Sequence, residues 1–313
     1  MGVKNLMKLL EKKAPESISY KKITDYKNKK FGVDANLLIY KIVFAIRKNG
    51  YDLKKGDIIT THIHGFLQKL IAFKKYNIKT IFVFDSYFPE IKEKTMEERK
   101  QIRKEMKKKY KTAITLDEKK KFYFMKSDIK QKEIDEVKEL IKIFGYPVIQ
   151  AKEEADGQLA YLSKKGIIDY VITDDLDILL FGSDNILKNF SIDEKRKIQE
   201  IDRKKILEEL GVDQKGLIDI GTLTGCDYCP SLKGIGPMKA YDMVKKKEII
   251  KMNKEQEDLL KRSREYFTNP PVTKRKDIDI TYKKTNMLKL TKFLEKKGYS
   301  LEEINKILLR IDK

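Results

Sequence analysis

The sequence predicts an α/β fold with a mostly parallel central sheet and helices on both faces. Short apolar, β-branched runs alternate with helical stripes along most of the chain, and acids follow each run. The clearest case is Tyr170 to Gly182, YVITDDLDILLFG. Tyr170, Val171, Ile172 and Thr173 have the composition of a buried strand, and Ile178 to Phe181 form a second apolar block. Asp174, Asp175 and Asp177 are thereby held close to a core. Gathered like charges raise one another's pKa and cost stability unless a cation answers them. For this stretch alone, a helix cap with solvated neighbours is the plainer alternative.

The same device recurs along the chain. Lys30 to Val33 leads into Asp34, and a helical pattern starts at Asn36. A cleaner stripe, Ile63, Phe66, Leu67, Leu70 and Ile71, runs into the strand Lys79 to Phe84, which ends at Asp85. From Tyr87 to about Lys132, lysine and arginine are dense and no apolar stripe persists. That segment is either a solvated charged helix or a mobile basic insertion that orders on a phosphate backbone, with Tyr110, Phe122, Tyr123 and Phe124 for stacking or anchorage. Ile134 to Phe144 then carry a helical face closed by Gly145 and Pro147. Val148 and Ile149 make a short strand before Glu154 and Asp156. Helices are expected around Arg203 to Leu210 and Gly216 to Thr224, and from Met238 through Val244 after the glycine turn Gly234-Ile235-Gly236. A last amphipathic helix carries Leu301, Ile304, Ile307 and Leu308.

Charge narrows the function. Lys+Arg of 69 against Asp+Glu of 48 gives a net charge of +21, which favours a polyanionic partner, although a lysine-rich composition bias alone produces a basic protein too. No apolar run is long enough for a membrane span. Two cysteines, Cys226 and Cys229, fit a reducing, intracellular compartment. With His62 and His64 the only histidines, these cysteines read as packing or incidental residues rather than a zinc site.

In a parallel α/β sheet the crevice lies at the carboxyl ends of the strands, where Asp34, Asp85, Glu154, Asp156, Asp175 and Asp177 all fall. Oxygen ligands without His or Cys suit Mg²⁺ or Mn²⁺. Two such ions activate a water and stabilise the leaving oxygen of a phosphodiester, which accounts for so many acids in one crevice. The residues point to a metal-dependent nuclease.

The motifs MGVKNLMKLL, FGVDANLLIY, IFVFDS, AKEEADGQLA, VITDDLDILLFG and GCDYCPSLKGIGPMKA, in this order, resemble the flap endonucleases of the XPG-type structure-specific 5′ nuclease superfamily. The resemblance implies a PIN-like nuclease fold, two Mg²⁺ ions replaceable by Mn²⁺, and metal-binding acids at Asp34, Asp85, Glu154, Asp156, Asp175, Asp177 and Asp227. Position 156 is Asp where close relatives usually have Glu. Lys92 and Arg99 match basic residues that stabilise the scissile phosphate, and Tyr40 an aromatic that stacks on a substrate base. Tyr40 also reads as a helix-core residue. Gly2 joins the DNA contacts, and Gly234, Gly236 and Lys239 match a helix-two-turn-helix that holds a duplex phosphate, with K⁺ in relatives.

The resemblance further implies one nuclease domain over 1–313. It has an N-terminal region 1–107, a basic arch at about 87–132, and an internal region 133–260 with the helix-two-turn-helix at about 217–246. A basic helical extension follows over 261–313. The expected partner is branched or flapped DNA, met by a monomer at sites of replication and repair. The sliding-clamp peptide of relatives is not seen after Leu309. Within the superfamily, a 5′–3′ exonuclease and a Holliday-junction resolvase are the alternatives; outside it, a DNA-binding scaffold without catalysis.

Overall fold

The computed structural model describes residues 2–3, 5–87, 89–126, 128–248 and 252–311, without the side chains of residues 94 and 124–126; the Phe124 side chain thus lies outside the described residues. In chain order the first elements are α1 (Leu6–Lys13), β1 (Ile18–Lys21), β2 (Lys30–Asp34), α2 (Ala35–Arg47), β3 (Lys54–Lys55), β4 (Ile58–Ile59), α3 (Thr61–Lys75) and β5 (Lys79–Phe84). Then come α4 (Glu93–Thr112), α5 (Leu116–Lys126), α6 (Gln131–Ile143), β6 (Val148–Gln150), α7 (Ala155–Lys164), β7 (Tyr170–Ile172) and α8 (Asp177–Leu180). The chain continues through β8 (Asn185–Lys188), β9 (Ile198–Asp202), α9 (Arg203–Leu210), α10 (Gln214–Thr224), α11 (Pro237–Lys246), α12 (Lys254–Thr268), α13 (Met287–Lys296) and α14 (Leu301–Ile311).

The main sheet has the order β1-β9-β8-β7-β2-β5-β6, and β3 pairs with β4 in a separate hairpin. Its middle is parallel: β8, β7, β2, β5 and β6 all run one way. At one edge β9 pairs antiparallel with β8, and β1 with β9. The sheet is therefore mostly parallel, as expected, but mixed, with an antiparallel edge. The reason is the connection 189–197, which carries no helix between β8 and β9, so the chain doubles back instead of crossing over.

Alternation along the strands builds two cores. Phe31, Val33, Phe82 and Phe84 face a layer that includes α2, α3, α6 and α13. Ile81, Val83, Val171 and Ile186 face the other layer, with α1, α7, α8, α10 and α12. Gly32 sits on that second side, where a Cβ would come within 2.6 Å of Leu159, so glycine lets α7 close on β2.

The basic segment is helical rather than irregular. Asp117 and Glu118 open α5 at its positive end, while Arg103 pairs with Asp128 at 2.8 Å across the base of the hairpin. The Tyr123 hydroxyl donates to Asp52 at 2.6 Å, tying α5 to the loop after α2. Asp52 also pairs with Arg47 at 2.8 Å, and Arg47 with Glu133 at 3.1 Å, so a buried charge network joins α2, α5 and α6.

The C-terminal helices are fastened through the end of α6. The Gly145 carbonyl accepts from the Lys283 N–H at 2.9 Å, and the Ile143 carbonyl from the Asn286 N–H at 2.9 Å. Gly145 has φ of +80°, and a Cβ there would collide with the Lys283 carbonyl. Gly145→Ala should therefore lower the unfolding free energy by at least about 2 kcal/mol, from left-handed strain and backbone displacement. Urea denaturation measures this; a variant within about 0.5 kcal/mol of wild type would contradict the close approach.

Candidate active site

The acids collect where parallel strands end. β2 is hydrogen-bonded to both β5 and β7 in the same direction, so residues beyond their last pairs open onto one edge. Asp34 closes β2 and, as N-cap of α2, accepts from the Leu37 N–H at 2.9 Å. Asp85 follows β5, and its Oδ1 accepts from the Ala155 N–H at 2.7 Å. That bond pins the start of α7, where Glu154 is the N-cap residue and Asp156 lies in the first turn. After β7, Asp175 Oδ1 accepts from the Asp177 N–H at 3.1 Å, and Asp177 Oδ1 accepts from the Val3 N–H at 2.5 Å. The N-terminal segment packs directly on these acids: Gly2 has φ of +80°, and a Cβ there would collide with Asp175 Oδ1.

Lys92 and Arg99 answer part of this charge. Buried Lys92 pairs with Glu154 Oε1 and lies 3.2 Å from Asp227 Oδ2. The Tyr228 hydroxyl donates to the other Glu154 oxygen, Oε2. Arg99 Nη2 reaches the two Asp227 oxygens at 2.9 and 2.8 Å. Asp174 turns away from the group: it accepts from the Asn189 N–H at 2.8 Å and pairs with Lys41.

Burial and mutual repulsion set the electrostatics. Burial, reinforced by Asp85, Asp175 and Glu154, holds the Asp34 carboxyl well above the usual carboxylate range. Burial and then Asp175, Asp34 and Glu154 do the same to Asp156. Its Oδ1 is buried with no hydrogen-bond partner among the described residues. Burial, with Asp175 and Asp227, raises Asp177; burial also raises Asp175 and pushes Asp85 up to about 6. At Asp227 burial is outweighed by Lys92 and Arg99, which bring the carboxyl below its ordinary value.

An anionic, oxygen-only, buried donor set with an orphaned oxygen fits a hard divalent cation. Among the described residues no group of three or more His, Cys, Asp or Glu side chains is arranged so that it could hold a metal ion as it stands. The acids line a basin, and Lys92 and Tyr228 engage both oxygens of Glu154.

The other predicted residues lie elsewhere. Tyr40 is half-buried on α2, its ring 5.4 Å from Phe44. Gly234, with φ of +76°, and Gly236, the N-cap residue of α11, lie between α10 and α11; a Cβ at either would meet nothing within 4 Å. Lys239 is exposed in the first turn of α11. Cys226 and Cys229 are free thiols whose backbones bond to each other. Sequence reasoning missed Tyr228; its place directly after Asp227 in GCDYC was the available signal.

The XPG N-terminal domain matches residues 1–106, and the XPG I-region matches residues 145–227. Flap endonuclease 1 of Encephalitozoon cuniculi is 33% identical over 98% of this chain and 93% of its own length. Flap endonuclease 1 of Theileria parva is 34% identical over 99% of this chain, which spans only 65% of that longer relative. The solved flap endonuclease-1 from Methanococcus jannaschii superposes with a TM-score of 0.74 at 27% identity, covering 94% of this chain and 95% of its own. The chain belongs to the flap endonuclease family.

A carboxyl whose pKa rises on folding holds its proton more tightly in the folded than in the unfolded chain. Its contribution to stability therefore falls as pH climbs from the unfolded value of 3.8 through about 6, as for Asp85. Asp85→Asn, which keeps an acceptor for the Ala155 N–H, should stabilise the metal-free protein at pH 7 by about 1–2 kcal/mol and have little effect near pH 4. Thermal melts in EDTA at both pH values check this; a variant less stable than wild type at pH 7 would contradict it.

Proposed function

We propose that the chain is a Mg²⁺-dependent, structure-specific 5′ nuclease. It binds a duplex junction bearing a 5′ single-stranded flap and hydrolyses one phosphodiester near the junction, in replication and repair. The observation that carries this is the basin of buried acids at the ends of β2, β5 and β7, in a chain of net charge +21 that belongs to the flap endonuclease family.

Asp34, Asp85, Glu154, Asp156, Asp175 and Asp177 hold two Mg²⁺ ions, or Mn²⁺ in their place, and Asp227 supports them directly or from one shell out. Bound there, the ions supply an activated water and stabilisation of the leaving oxygen. The chain's own residues do the remainder. Lys92 and Arg99 stand at the rim of the acids through Glu154 and Asp227, and offer positive charge to the scissile phosphate. Because Lys92 and Tyr228 engage both oxygens of Glu154, freeing Lys92 for phosphate also frees Glu154 as a ligand. Asp85, through the Ala155 N–H, keeps α7 in register with β5, so that Glu154 and Asp156 face the same basin.

DNA is held away from the cut as well. The α4–α5 hairpin is the basic arch that admits the single-stranded 5′ end, and Tyr40 and Gly2 meet the nucleotide near the acids. The α10–α11 turn, with Gly234, Gly236 and Lys239, holds a duplex phosphate, with K⁺ there, and the space around the two glycines lets the backbone approach it. The enzyme works as one nuclease domain and as a monomer; the helices after about residue 261 extend it. Among the described residues no helix is long and apolar enough to cross a membrane.

Single-turnover digestion of end-labelled double-flap, nicked, recessed and four-way DNA tests the proposal, with Mg²⁺ or EDTA. Release of an intact 5′ flap, dependent on Mg²⁺, is the expected result. Asp175→Ala should slow it by at least about 10³-fold while leaving DNA affinity within a few-fold. Mononucleotide ladders from nicks would replace the assignment with an exonuclease, and paired cuts in the four-way substrate with a resolvase. Binding without cuts would replace it with a scaffold.

A further inference from the structure

Away from the acid basin, a groove of about 870 Å³ runs between α6 and α13, and seven lysines line it against two acids, Asp135 and Glu139. Lys142 stands on α6, Lys283 and Lys284 on the segment leading to α13, and Lys289, Lys292 and Lys296 on one face of α13. All six are exposed, and none pairs with a carboxylate among the described residues. The groove is preformed, because Lys283 and Asn286 are bonded to the carbonyls of Gly145 and Ile143. Its floor includes the start of α13, where Asn286 caps the Lys289 N–H at 2.9 Å and the helix dipole adds positive potential. So many unanswered like charges repel one another, and a polyanion relieves them.

We propose that this groove is a second nucleic-acid site, which takes the phosphodiester backbone of an arm of the substrate beyond the cut. The identity of the polyanion rests on the function proposed above. Position favours nucleic acid over an acidic protein. Lys138, the seventh lysine, donates to Gln150 Oε1 at 2.9 Å, and the Gln150 amide donates to the Asp85 carbonyl at 2.5 Å. One end of the groove is therefore two side chains from the acid basin. Spacing agrees: Lys289, Lys292 and Lys296 span roughly 10 Å of helix axis, the rise of about three base pairs along a duplex axis. Phe293, the aromatic in the lining, is only 5% exposed, so the contact is with backbone and is independent of base sequence.

The test compares the full chain carrying Lys142→Glu, Lys284→Glu and Lys292→Glu with a control of equal charge change, Lys27→Glu, Lys29→Glu and Lys195→Glu. Fluorescence anisotropy in EDTA follows binding of flap DNA whose 5′ flap, upstream duplex or downstream duplex is lengthened in turn, across a salt series. The groove variant should lose about tenfold or more in affinity for the DNA with one particular arm lengthened, beyond any loss in the control. Its log–log salt slope on that DNA should be shallower by roughly 2–3. The arm that shows the loss distinguishes single strand from duplex. Equal losses in both variants would overturn the proposal, as would a groove variant that loses affinity for polyglutamate but not for DNA. Because the readout is binding without metal, a wild type that cuts no DNA would refute the proposed function and leave this result to stand or fall by itself.

Discussion

Uncompensated negative charge held against a buried sheet edge is the constraint around which the molecule is arranged. Asp34, Asp156 and Asp177 are held well above the carboxylate range by burial and by one another, and Asp156 has an oxygen with no partner among the described residues. Such an arrangement destabilises a fold that lacks a cation. Among the described residues Lys92 and Arg99 are the cationic side chains bonded to the group, and they act at one side of it through Glu154 and Asp227. The rest of the basin calls for charge from outside the chain, whether a divalent ion or the cationic face of another partner.

The scaffold delivers that basin from widely separated parts of the sequence. Three parallel strands set Asp34, Asp85 and the Asp175/Asp177 pair on one edge, and the Asp85–Ala155 hydrogen bond brings in the start of α7. Two cores, one on each face of the sheet, make this edge rigid, and Gly32 permits the close approach of α7 to β2. The N-terminal segment closes one side, with the Val3 N–H on Asp177. Cationic surface then extends outward from the acids, first through the basic α4–α5 hairpin and, on the far side of β6, through the lysines of α6 and α13.

Much of this was legible because the signals are local. An apolar run that ends in acid is visible at Asp34, Asp85 and Asp175, and the structure brings these positions to one edge. β1, β8 and β9 were not legible. β9 and β8 pair by a return of the chain, and neither Ser19 to Lys21 nor Gln199 to Asp202 carries a continuous apolar run, so they look like loop. The hairpin α4–α5 lacks an apolar stripe because it stands largely in solvent, and its order comes from pairs such as Arg103–Asp128 and Tyr123–Asp52 that join distant residues. Tyr228 escaped for the same reason: its partner Glu154 lies far back in the chain. The groove lysines were visible as composition, but their convergence depends on Gly145 receiving Lys283.

The claim that the acid basin is a divalent-cation centre is tested most directly by a crystal structure with Mn²⁺, recorded at the manganese absorption edge. The account predicts two anomalous peaks among Asp34, Asp85, Glu154, Asp156, Asp175 and Asp177, with Glu154 turned from Lys92 toward one of them. A basin without manganese at saturating concentration, with Lys92 still paired to Glu154, would contradict it.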